Sequence, residues 1–341
     1  MQINNASDKA KFSQNEKIFK LSSSVLVELL FLGKGESWGG VRETSYALWA
    51  LKELRITSVD TFIDPFIEDG EKWLKEKATK KKNKYSHYED EVWDTSLALL
   101  AIGGKESELR NRLAGWLVSK QYYGAFDGEV WEPCFAILAL ASLDNDNFTQ
   151  AINSGINWLE SISGLANNEP TLFITPTYTA FVAYVLITIG GKNLNTKSIA
   201  KLITSTCSPE NQQWAQAIIL LFLSCAQGTN RDNINEIMGS VKKYIENNKE
   251  KRVEDLALSL IALHHLLGTE KSGDKILESC GTMVRKESRR VIRKRVDGSI
   301  EIIITKKLQK IALAIIGSLG FILATYKNWS LLESLYESLT K

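Results

Sequence analysis

A run of about ten residues, apolar on nearly every side, recurs along this chain. ETSYALWAL begins at Glu43, DTSLALLAI at Asp94, EPCFAILAL at Glu132 and DLALSLIAL at Asp255. Weaker copies are QWAQAIILLFL from Gln213 and KIALAIIGSL from Lys310, while TYTAFVAYVLITIGG from Thr177 fits without a fixed register. A helix that is apolar all round must be covered on all sides. The covering segments lie between the copies. EKWLKEK, RLAGWLVSKQ and GINWLESI each have one apolar stripe and one charged face, and their Trp-Leu pairs at Trp73, Trp116 and Trp158 recur about every 43 residues. VKKYIENN places Tyr244-Ile245 in the same role, and KSIAKLI fills the gap around Lys201.

The repeating unit is therefore one buried helix followed by one amphipathic helix. Such units stack into a solenoid or close into a ring. Inner helices of an open solenoid carry polar residues along a solvated groove. Here they stay apolar for three turns, which favours closure. The expected architecture is all-α, an α/α toroid of about six to seven inner/outer helix pairs. The Gly103-Gly104 and Gly190-Gly191 pairs are expected helix stops, since glycine takes the left-handed position after a helix without penalty. A single domain over residues 1–341 is expected, opening with a helix over about 14–32.

Composition adds limits. The formal charge is +2 and 44% of residues are hydrophobic, so no global field selects a partner. The cysteines Cys134, Cys207, Cys225 and Cys280 are scattered with no CxxC pair, which implies a reducing compartment. The polar N-terminus does not read as a secretory leader. The longest apolar runs, 214–226 and 311–324, fall short of the roughly 20 residues of a membrane span. A soluble, cytoplasmic protein with no transmembrane segment is expected.

The stretch VWDTSLALLAIGG followed by GWLVSKQYYGAFDGEVW resembles the Gln-Trp repeats of squalene–hopene and oxidosqualene cyclases. It is also similar to the repeats of protein prenyltransferase β-subunits. Gln121, Gly128 and Trp131 fit the Gln-Trp pattern, and the repeat runs from about Trp38 to the C-terminus. The resemblance implies the toroid but not the activity. Class II cyclases protonate their substrate with an Asp-x-Asp-Asp motif at the start of an inner helix. In register, its last aspartate falls on Asp94, its catalytic middle aspartate on Trp93 and its first on Glu91. Asp144-Asn145-Asp146-Asn147 follows an inner helix and lies at the wrong end. The DDxxD cluster of class I synthases, the Asp-x-Cys zinc ligands of prenyltransferases and the thioester sequence of complement-type toroids are absent. His264-His265 lacks a partner at metal-ligand spacing, so no metal or other cofactor is expected.

Three sets of residues are candidates for function. Glu43, Asp94, Glu132 and Asp255 share the first turn of an inner helix, where acids satisfy free N–H groups and the helix dipole. With Glu89, Asp90 and Glu91 beside Asp94, the alternative is a carboxylate cluster in which one member stays protonated as a general acid; Asp90, Glu91 and Asp94 are then the catalytic candidates. Trp38, Trp93, Trp131 and Trp214, all near inner-helix starts, either cap the core or line an apolar cavity. Finally, RRVIRKRVDGSIEIIITKK reads as a β-hairpin turning at Asp297-Gly298. Residues 285–310 hold ten Lys/Arg against three acids. Inserted over about 285–306, this basic hairpin offers Arg289, Arg290, Arg293, Lys294 and Arg295 to an anionic partner such as nucleic acid, an acidic protein or a diphosphate.

Motif loss favours a non-catalytic toroid, working as a binding or interaction module through the hairpin and with an apolar cavity for a lipid or isoprenoid. The alternative is an atypical terpenoid cyclase or prenyl-handling enzyme that uses carboxylates at the mouth of the ring.

Overall fold

The computed structural model describes residues 6–280, apart from 34–35, 57–62, 81–85, 89–90, 104–106, 127–128, 144–145, 166–169, 191–193, 207–212, 227–230, 249 and 269–272. The expected basic hairpin, with Arg289, Arg290, Arg293, Lys294 and Arg295, lies outside the described residues, as do Asp90, Gly128 and the repeat copy at Lys310.

The apolar runs are the inner helices. They are α2 (Val41–Ile56), α4 (Val92–Ala101), α6 (Trp131–Ala141), α8 (Pro176–Ile189), α10 (Gln213–Cys225) and α12 (Val253–Leu267). Each packs on the next, and α12 returns to pack on α2. The ring is therefore closed among the described residues, as three-turn apolar helices require. In α10 every residue from Ala215 to Leu223 is buried. Full burial of one Leu, Ile or Phe side chain contributes roughly 1.5–3 kcal/mol.

The amphipathic segments form the outer layer. They are α1 (Ala6–Leu32), α3 (Asp64–Lys77), α5 (Glu108–Ser119), α7 (Thr149–Ser163), α9 (Thr196–Thr206) and α11 (Arg231–Asn247). From α3 to α11, each packs on the inner helix that precedes it in sequence, and α1 covers α12. Residues 273–280 are also helical, and Ile276 accepts a hydrogen bond from Ser23 of α1 at 3.1 Å. Among the described residues no helix is long and apolar enough to cross a membrane.

Helix ends follow local chemistry, with one departure from expectation. Gly190 ends α8 with φ +79, the left-handed conformation expected of it. Gly103 directly follows the last cap residue of α4 but does not take the left-handed conformation expected there. The chain turns extended one residue earlier, at Ile102, and the Gly103 N–H donates to Glu71 at 2.9 Å.

Two short antiparallel ladders connect outer to inner helices: β1 (Thr79–Lys80) with β2 (Ser86–His87), and β3 (Gln121–Tyr122) with β4 (Ala125–Phe126). Gln121 explains the second. Its side-chain amide donates to Gly124 O at 3.3 Å and to Ala151 O of α7 at 2.8 Å. At Gly124, φ is +89 and a Cβ would lie 2.4 Å from Ser154 O. Only glycine lets the turn sit this close to α7.

The middle of the ring is filled by aromatic rings from α2, α6 and α8. Phe135 lies edge-on to Tyr46 at 6.0 Å and to Trp49 at 6.4 Å, and its ring is 4.8 Å from Phe181. These rings form a plug beneath Trp93, whose ring lies 5.7 Å from that of Phe135.

Candidate functional site

The six described inner helices begin on the same face of the ring. There a cavity of about 250 Å³ remains, lined by Arg42, Tyr46, Trp93, Trp131, Trp214, Ile218, Arg252, Glu254 and Leu258. The repeat register explains this lining. Arg42, Trp93, Trp131 and Glu254 each stand one residue before the repeated acid, at Glu43, Asp94, Glu132 and Asp255. Tyr46, Ile218 and Leu258 follow lining residues by four, which puts them on the same helical face one turn deeper. The inward position is thus the residue before the acid.

Trp131 is the centre of the aromatic wall. Its ring lies 4.6 Å from Tyr178, 5.0 Å from Phe181, 5.2 Å from Trp214 and 6.4 Å from Trp93. The Arg42 guanidinium sits 4.5 Å from the centre of the Trp93 ring. It also donates from Nε to Asp94 at 2.6 Å and from Nη2 to Glu91 at 3.1 Å. Arg252 donates to Glu254 at 3.0 Å. Burial pushes the Tyr46 phenol well above its usual pKa, so it stays protonated.

The four repeated acids do not converge. Glu43 turns back to accept from Gly40 N at 3.0 Å. Asp94 is taken by Arg42. Glu132 is half-buried, and burial raises its pKa. Asp255 accepts from the Tyr244 hydroxyl at 2.8 Å, and burial raises its pKa too. Asp255 faces a broader polar groove of about 760 Å³ between α10, α11 and the start of α12. That groove shares Trp214 and Arg252 with the aromatic cavity.

Trp38 does not line the cavity. Its backbone N–H donates to Thr44 Oγ1 at 3.1 Å, and its indole N–H to Leu29 O at 2.8 Å. The same clip recurs in two further units. Tyr88 N donates to Thr95 Oγ1 at 3.0 Å and Phe173 N to Thr179 Oγ1 at 2.8 Å. A first-turn threonine thus anchors an aromatic residue six or seven positions earlier. The sequence signal is the Thr in ETS and DTS, beside the repeated acid.

Of the expected cavity residues, Trp93, Trp131 and Trp214 meet at the site. Sequence reading missed Arg42, Tyr46, Arg252 and Glu254. At the opposite end of the ring, His264 and His265 gain a neighbour that spacing along one helix does not reveal: Glu53, from the last turns of α2.

No family model matches the chain, and no curated protein matches it. Among solved structures, the chain is similar to the type II terpene cyclase MstE from Scytonema. One such structure is an aspartate-to-alanine variant in complex with its product merosterolic acid A. The TM-score is 0.51 at 14% identity, over 74% of this chain and 99% of that one. The second is an aspartate-to-asparagine variant in complex with its substrate geranylgeranyl dihydroxybenzoate, with a TM-score of 0.50 at 12% identity, over 76% and 99%. The fold is therefore terpenoid cyclase-like.

Proposed function

We propose that this toroid is a non-catalytic binding module whose aromatic cavity takes a compact, uncharged apolar ligand, such as a short isoprenoid or an aromatic ring. The observation that carries this reading is at Trp93. The register assigns that position to the proton-donating aspartate of class II cyclases, and the position faces the cavity. It holds an indole, and a guanidinium already lies against that ring. An aromatic face stabilises a carbocation through its π-cloud; here Arg42 occupies the face and its charge repels a second cation.

Size and charge narrow the ligand. A cavity of about 250 Å³ lies below the usual 300–1,000 Å³ of drug-sized sites, which favours a short chain over a squalene-length one. Arg42 and Arg252 face Glu91, Asp94 and Glu254. The mouth thus has no surplus of positive charge to favour a diphosphate.

The test is calorimetric titration with geraniol and with geranyl diphosphate. The expected result is saturable one-to-one binding of the alcohol, weakened by about tenfold or more in Trp214→Ala, with no preference for the diphosphate. Absence of saturable binding, or formation of a cyclised product, would overturn the proposal.

A further inference from the structure

The C-terminal ends of three inner helices carry a second cluster, beyond the aromatic plug and opposite the cavity. Glu53 lies near the end of α2, Cys225 ends α10, and His264 and His265 lie in the last turn of α12. Because α12 packs between α10 and α2, these side chains meet where the last described inner helix closes on the first. One ligand atom each of Glu53, His264 and His265 lie within 4.8 Å of one another. The chain has three histidines, and two of them are here.

We infer that Glu53, His264 and His265 form a binding site for a zinc-class divalent ion that clips the ring closed. The donor set supports this class. Two imidazoles and a carboxylate suit zinc, whereas magnesium and calcium demand oxygen ligands. The surroundings are arranged around those donors. The Trp49 indole N–H donates to Glu53 Oε1 at 3.2 Å, which orients the carboxylate and leaves Oε2 facing His265 Nε2 at 3.8 Å. The other ring nitrogen, Nδ1, lies 3.7 Å from Cys225 Sγ. A ligating histidine is held in this way by a partner at its second nitrogen.

Geometry and field agree. Zinc bonds of about 2.0–2.2 Å place tetrahedral ligands roughly 3.3–3.6 Å apart, so small side-chain rotations bring the three donors onto one ion. The C-terminal ends of α2, α10 and α12 add partial negative charge at this face.

The experiment is calorimetry with zinc on untagged, chelator-treated full-length protein, with thermal unfolding measured in parallel. The expected result is one site per chain and a rise in Tm with zinc but not with magnesium. Glu53→Gln and His264→Gln should each weaken binding by more than about tenfold and remove the zinc-dependent rise in Tm. Glu53 is half-buried, so Glu53→Gln serves should the buried His264 variant fail to fold. No zinc binding, equal stabilisation by magnesium, or unchanged binding in folded Glu53→Gln would overturn the inference.

Discussion

Arg42 of α2 donates from Nε to Asp94 of α4 at 2.6 Å while lying against the Trp93 ring. The pair joins the first two inner helices at the mouth of the ring. The Asp94 side chain is 6% exposed and that of Arg42 34%, so the carboxylate depends on this partner. Arg42→Gln should destabilise the fold by about 1–3 kcal/mol in urea unfolding, the range for leaving a buried polar group unsatisfied. Adding Asp94→Asn should restore part of the loss, because the two groups are coupled. Strictly additive losses would contradict the pairing.

Thr95 offers a second test. Its hydroxyl accepts from Tyr88 N and also donates to Tyr88 O at 3.4 Å. Thr95→Val keeps the shape but orphans a buried N–H. A loss of about 1–3 kcal/mol follows. Thr44→Val and Thr179→Val should behave alike, since each serves the same clip in its own unit.

Phe135 fills the ring centre and is fully buried. Phe135→Ala should cost about 3–5 kcal/mol, from lost transfer energy and the void left behind. The same variant removes part of the plug below Trp93 and Trp131, so it should bind longer isoprenoid alcohols than the parent does. Both effects are read by unfolding and by titration over a chain-length series.

Asp255 gives a pH-dependent outcome. Burial raises its pKa above the ordinary value of 3.8, against the pull of the Tyr244 hydroxyl and Arg252. Its ionised form therefore opposes folding, and that penalty is present above the folded pKa and lifts as pH falls through it. Asp255→Asn should stabilise the protein at neutral pH. The advantage should shrink on acidification towards the ordinary carboxylate range, as measured by Tm across pH.

The ring was legible in the sequence because burial on all sides leaves a direct trace: stretches such as CFAILALA and AIILLFL have no polar residue to turn towards solvent. The outer layer was legible through Trp73, Trp116 and Trp158, which mark one apolar stripe each. The site was less legible. Tryptophans near helix starts look alike in sequence, yet Trp38 clips a connection while Trp93, one residue before an acid, faces the cavity. Arg42 was missed because a charged residue on a helix ordinarily reads as solvent-facing. The Glu53, His264 and His265 cluster was hidden because Glu53 lies about 210 residues from the two histidines in sequence and meets them only when the ring closes.

The central claim is that the cavity holds a compact apolar ligand without transforming it. Mass spectrometry of material extracted from the protein after incubation with geraniol tests this most directly. Geraniol recovered unchanged, at about one equivalent from the parent and much less from Trp214→Ala, is the expected result. Recovery of a ring-closed isomer, or equal recovery from both proteins, would contradict it.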